Sequence, residues 1–119
     1  MTEYKLAILS ELRAALMEER QDNDLKSIDP DTLTRANDRL RKIENLILSR
    51  VGKDPEQLAE EHEAIRETIE DLQQRRLEKI MMLAKYPITA VPLAKMQPQE
   101  AKLYQDVRTA ITVYWGDGR

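Results

Sequence analysis

The sequence predicts an all-α fold: a bundle of four main helices, with a long antiparallel hairpin between the second and third and a proline-containing connector before the fourth. Three observations point there. Of 119 residues, three are Gly, none is Phe and 34% are charged, so Leu, Ile, Val, Ala and Met must fill the interior of a chain rich in helix-forming Glu, Lys, Arg and Ala. Apolar residues recur three and four apart over long stretches, the period of a helix face. Finally, Asp29-Pro30 and Asp54-Pro55 each place a side-chain acceptor before a proline. The acceptor can cap the open N–H groups, and at the first helical position proline's missing N–H costs nothing.

The first helix is expected over Glu3 to Arg20, capped by Thr2, with Tyr4, Ile8, Leu12 and Leu16 four apart and Leu9 and Ala15 widening the stripe. From Gln21 to Asp29 the period breaks at Asp22, Asn23 and Asp24, which predicts a surface loop. The second helix starts at Pro30 and carries a seam of Leu33, Ala36, Leu40, Ile43 and Ile47, flanked late by Leu46, Leu48 and Val51. Gly52 is its expected stop. Because Pro55 follows so soon, the second and third helices must pair as an antiparallel hairpin.

The third helix can run to Lys85, about 45 Å. Its stripe reads Leu58, His62, Ile65, Ile69, Leu72, Arg76, Ile80 and Leu83, with Leu77, Met81 and Met82 broadening the apolar surface late. A helix this long is expected to overhang a small bundle, and the overhang to need a partner. Between Tyr86 and Gln97 the pattern dissolves around Pro87 and Pro92 into an extended connector. The fourth helix should begin near Pro98, present Leu103, Val107, Ile111 and Tyr114 on one face, and stop by Gly116.

Several chemistries are excluded on these residues. With no Cys there is neither a disulfide framework nor a thiolate metal site, and His62 as the only histidine gives no zinc cluster and no nucleophilic triad. Asp22, Asn23 and Asp24 open like a calcium loop, but Lys26 stands at the third ligand position and the turn Gly and closing Glu are missing. Gly52, Gly116 and Gly118 do not form a phosphate loop. No catalytic, cofactor or metal residues are therefore expected. The N-terminal segment mixes charge into its apolar positions, unlike a signal peptide, and no apolar run reaches the ~18 residues of a membrane span. A cytoplasmic protein, nucleoid-associated or nuclear according to its source, is expected.

Charge gives two candidate surfaces. A net charge of −3 supplies no overall field toward DNA. Between Asp54 and Asp71 lie eight acids and one base, Arg66, which is the pattern of a solvated face or of a strip meeting a basic partner. Arg35 and Arg39 on the second helix could concentrate positive charge with Arg75, Arg76 and Lys79 late on the third, a patch suited to phosphates or an acidic protein surface. An apolar surface is expected from Leu77, Met81, Met82, Leu93, Met96, Tyr104, Ile111, Tyr114 and Trp115. Aromatic residues and Met are enriched at protein interfaces, and the consecutive Val113, Tyr114 and Trp115 cannot all be buried by one helix face.

Three segments, in order and spacing, resemble the GINS family of replication factors: RKIENLI from Arg41, TIEDLQQRRLEKIMMLA from Thr68, and LAKMQPQEAKLY from Leu93 to Tyr104. The second is similar to that family's long central helix, the third to the start of the helix after its connector. The resemblance spans about Leu33 to Tyr114 and is nearest to the subunit class whose helical domain comes first. It implies that residues 1–119 are a single A-type helical domain, with the family's C-terminal β-rich domain absent from this chain. It further implies a non-enzymatic scaffold assembled with homologous subunits into a homo- or hetero-tetramer, linking the replicative helicase to a Cdc-forty-five/RecJ-like protein, with direct DNA contact left open. Two alternatives stand beside it. One is a small helical enzyme of the chorismate mutase type, in which Arg76, Arg39 and Lys79 would surround a dicarboxylate; the other is a generic helical-hairpin adaptor.

Overall fold

A computed structural model describes residues 2–50, 54–85 and 91–116, with side chains from Ile8 onward. Among them are four α-helices, α1 (Thr2–Gln21), α2 (Pro30–Ser49), α3 (Pro55–Lys85) and α4 (Pro98–Trp115), and one 3-10 turn (Leu93–Lys95). The side chains of the expected cap Thr2 and the stripe position Tyr4 are not among those described, and the flank Val51, the stop at Gly52 and the connector around Pro87 lie outside the described residues. No helix among those described is long and apolar enough to cross a membrane.

The helix starts follow the Asp-Pro signals. An Asp29 carboxylate oxygen accepts from the Asp31 N–H at 2.9 Å, and Asp54 does the same for the Glu56 N–H at 2.9 Å. At Gln97 the start is a reciprocal box, in which the Gln97 side chain bonds the backbone N–H of Glu100 while the Glu100 carboxylate accepts from the Gln97 N–H at 2.7 Å. α2 ends at Ser49, with Arg50 in the left-handed region (φ 56°) and its N–H returning to the Ile47 carbonyl.

Helix α3 is the spine, against which each of the other three helices packs. α2 runs antiparallel to its first half, so the expected hairpin is present. Ile8, Leu12, Ala36, Ile43, Leu58, Ile65 and Ile69 form the core there, with Leu33, Leu40 and Ile47 packed against it. The second half of α3 is covered by two other segments. Leu25 from the loop after α1 and Tyr104 from α4 close a second apolar cluster over Ile80 and Ala84.

Two expectations are corrected here. The segment from Gln21 to Asp29 is more than a surface loop, because Leu25 is buried in that second cluster. Nor does the late half of α3 overhang bare: α4 lies along it and shields Ile80 and Ala84. The register is steady, since Glu100 reaches Arg76 and Arg108 donates to the Ala84 carbonyl, each pair 24 positions apart. α4 is thus parallel to α3, and its last turns run past the end of the longer helix. The result is a rod of 64 × 26 × 19 Å with a radius of gyration of 18.1 Å, well above the about 13.5 Å of a compact chain this long.

Candidate functional site

Between the two apolar clusters, the face of α3 carries two charges inward. Arg76 and Lys79, three residues apart and so on one side of the helix, are buried, as is Glu19 on α1. The Arg76 guanidinium makes five hydrogen bonds: Nε and Nη2 to the two Glu100 oxygens (2.8 Å each), Nη1 to Glu19 Oε1 (2.8 Å) and to the Lys26 carbonyl (2.6 Å), and Nη2 to the Lys95 carbonyl (2.8 Å). A guanidinium has five N–H donors, so all are committed. Lys79 Nζ donates to Glu19 Oε2 at 2.7 Å and to the Asp24 carbonyl at 2.6 Å. Two cations thus face two carboxylates, and the hub is formally neutral. Among the described residues no buried side-chain nitrogen or oxygen lacks a hydrogen-bond partner, and a buried polar network satisfied in this way rigidifies the segments it joins.

Burial by itself would push the Arg76 guanidinium down. The Glu100 hydrogen bond and charge, with Glu19 behind them, more than offset this and hold it above its ordinary value. Around the hub, Arg75 donates to the carbonyls of Glu19 (3.3 Å) and Asp22 (3.0 Å), and the Lys26 N–H reaches Glu19 Oε2 at 3.1 Å. Lys26 also bonds Asp22 Oδ2 at 3.0 Å, and that contact, with the Asp24 N–H, holds the Asp22 carboxyl below its ordinary value.

These partners overturn the expected basic patch. Arg76 and Lys79 are buried against Glu19 and Glu100, and Arg39 is buried in a forked pair with Glu61, at 2.7 and 2.9 Å. Arg35 lies nearer the surface but bridges Asp31 (2.8 Å) and Glu11 (2.7 Å). Four of the five cations that were to attract phosphates face the acidic run of α3 and carboxylates of α1, α2 and α4, while Arg75 turns to the carbonyls of Glu19 and Asp22, so they form no phosphate-binding strip. The mutase alternative meets a related difficulty. Its cations are interior, as it requires, but Arg76 has no donor left for a dicarboxylate. His62 sits half-buried on the seam and bonds Glu44 at 2.8 Å. Among the described residues no three side chains of metal-binding type converge.

The expected apolar surface is divided by the fold. Met81, Met82 and Ile111 come together with Val107 in a groove of about 680 Å³ between α3 and α4, edged by Asn23, Arg75, Glu78, Lys79 and Lys85. Leu77 lies on another face, in a shallow depression with Glu70, Asp71, Gln73 and Gln74. Tyr104 is buried and Met96 packs against the second cluster, so these two belong to the interior and are corrected accordingly. Leu93 is exposed on the 3-10 turn. Tyr114, expected on the same apolar surface, is 81% exposed. It meets Trp115 edge to face, ring centroids 5.3 Å apart at 72°.

Glu19 and Glu100 were missed from sequence, although each left a signal. Glu19 continues the α1 stripe three residues beyond Leu16, where an acid on an apolar face asks for an interior cation. Glu100 stands at the third position of α4, where a capping acid is ordinary; the same carboxylate also holds Arg76. No protein-family model matches the chain, and no curated protein matches it.

Proposed function

We propose that this chain is a GINS-type subunit that serves DNA replication as a non-enzymatic scaffold. The observation that carries the assembly part of this reading is a set of exposed apolar side chains late on α3 and α4. Met81, Met82, Val113, Tyr114 and Trp115 are all exposed, next to a groove walled by Val107 and Ile111. Apolar surface gathered in one place is what a subunit contact needs. Met is suited to such a surface because its flexible thioether adapts to a partner's shape.

The replication part rests on the resemblance over Leu33 to Tyr114. Its three segments fall on α2, on the second half of α3, and on the 3-10 turn with the start of α4. In this reading the chain is an A-type helical domain whose rigid spine sets the angle between partners. Homologous subunits cover the exposed apolar side chains in a homo- or hetero-tetramer, and the assembly joins the replicative helicase to a Cdc-forty-five/RecJ-like protein. Its place of action would be the cytoplasm at the nucleoid, or the nucleus.

The test is sedimentation or light scattering at micromolar concentration, for the chain alone and mixed with a GINS partner subunit. Wild type should form a defined oligomer in at least one condition, and Met81→Glu combined with Trp115→Ala should weaken it. A wild-type chain that stays monomeric in both would overturn assembly and favour a generic helical adaptor. A double variant that assembles normally would overturn this location for the interface.

A further inference from the structure

Two neighbouring side chains on α3 tie together segments far apart in sequence. Arg76 and Lys79 hold Glu19 at the end of α1, the carbonyls of Asp24 and Lys26 in the following loop, and Glu100 of α4. If α4 left alone, Arg76 would lose both Glu100 bonds while its Nη1 remained pinned between Glu19 and the loop. Should the loop leave alone, Arg76 and Lys79 would each lose a carbonyl while α4 still covered them. Either partial opening leaves a buried cation short of acceptors, an expensive state in a low-dielectric site. Opening both lets water reach every donor. Apolar packing favours the same outcome independently, because Leu25 of the loop and Tyr104 of α4 share one cluster over Ile80 and Ala84.

We infer that α4 and the loop from Asp22 to Ile28 form a single clasp, which opens and closes as one unit on α3 while the α1–α2–α3 core stays folded. The clasp also makes the groove. One edge is Asn23 of the loop, one wall is Val107 and Ile111 of α4, and the floor is α3. Opening therefore dismantles the groove, and a partner seated in it holds the clasp shut. This last consequence rests on reading the groove as a partner contact; the coupling of loop to α4 does not.

The experiment is native-state hydrogen exchange on the full chain through a denaturant series below the unfolding transition. It is run on wild type and on the Met81→Glu, Trp115→Ala background, so that assembly and coupling are read separately. The Lys26 amide, which bonds Glu19, and central α4 amides such as Tyr104 should share one opening equilibrium. That equilibrium should be reached more easily than the one exposing Ile65 in the core. Glu100→Ala should speed both sets by one common factor, about tenfold or more, while Lys102→Ala, which removes an exposed pair with Asp106, should change neither. Acceleration of α4 with the Lys26 amide at its wild-type rate would overturn the inference. So would a wild-type chain in which Lys26, Tyr104 and Ile65 all exchange only by global unfolding, a comparison that stands even if Glu100→Ala fails to fold.

Discussion

Replacing Arg76 with Met keeps a long, flexible side chain in the same space and deletes the guanidinium, so it isolates the polar role of the hub. A naive sum overshoots. Five hydrogen bonds to a charged group at roughly 1.5–3 kcal/mol each would equal or exceed the whole stability of a domain this size, about 5–15 kcal/mol. The structure says where the loss concentrates. The Glu100 side chain is 15% exposed, so water can reach this acceptor. Glu19 cannot follow: its side chain is 2% exposed and keeps only Lys79 and the Lys26 N–H. Breaking a buried pair from one side in this way costs about 3–5 kcal/mol, which for a chain of this length lowers the thermal midpoint by roughly 10–20 °C. The assay is urea unfolding followed by circular dichroism at constant slope, for Arg76→Met and for Arg76→Lys. The lysine variant should fall between wild type and Arg76→Met, because it restores the charge without the fork that meets Glu19, Glu100 and two carbonyls together. A loss below about 1 kcal/mol for Arg76→Met would refute the claim that the hub stabilises the fold. An Arg76→Lys variant as stable as wild type would refute the claim that its geometry matters.

Three further outcomes are expected. Ile65→Ala or Leu72→Ala, each removing a side chain with at most 1% of its residue exposed, should cost about 2–5 kcal/mol in denaturant unfolding; under about 1 kcal/mol would mean that the α1–α2–α3 seam is wrongly placed. Asp29→Ala removes the acceptor for the Asp31 N–H and should cost about 1 kcal/mol, while Asp29→Asn should restore most of it; equal losses in both would point to charge rather than capping. The third concerns Glu67, whose carboxyl is raised above its ordinary value, chiefly by its contact with Glu63. A raised carboxyl means that the folded chain binds the proton more tightly than the unfolded one, so this group's contribution falls as pH rises through its folded value. Glu67→Gln should therefore raise the thermal midpoint at neutral pH and lose that advantage in acid; a gain that persists in acid would contradict the repulsion.

The helices could be placed from sequence because their signals are local. Pro30, Pro55 and Pro98 each open a helix, Lys85 closes the longest, and Gly116 ends the last. The stripe from Leu58 to Leu83 is the face that α3 turns inward, with His62 and Leu83 at its half-buried margins. Caps and a three-to-four spacing act within one or two turns, so the chain displays them in order. The candidate site was less legible. The expected interface was one apolar set, and the fold kept Met81, Met82 and Ile111 together, turned Leu77 to another face and buried Tyr104.

What the sequence determined by itself was where α2, α3 and α4 start, which stripe α1, α2 and α3 hide, and that α2 and α3 fold back on one another. Only the tertiary structure decided what the stripe's charges do. Arg76 lies on an apolar face in either case. Whether it becomes a cation waiting for a ligand or the centre of a closed network depends on Glu19, 57 positions before it, and Glu100, 24 after it. The physical reason is the cost of burying charge. A guanidinium stays inside a bundle only where enough acceptors converge on it, and that convergence comes from segments brought together by α3 rather than by their neighbours in the chain.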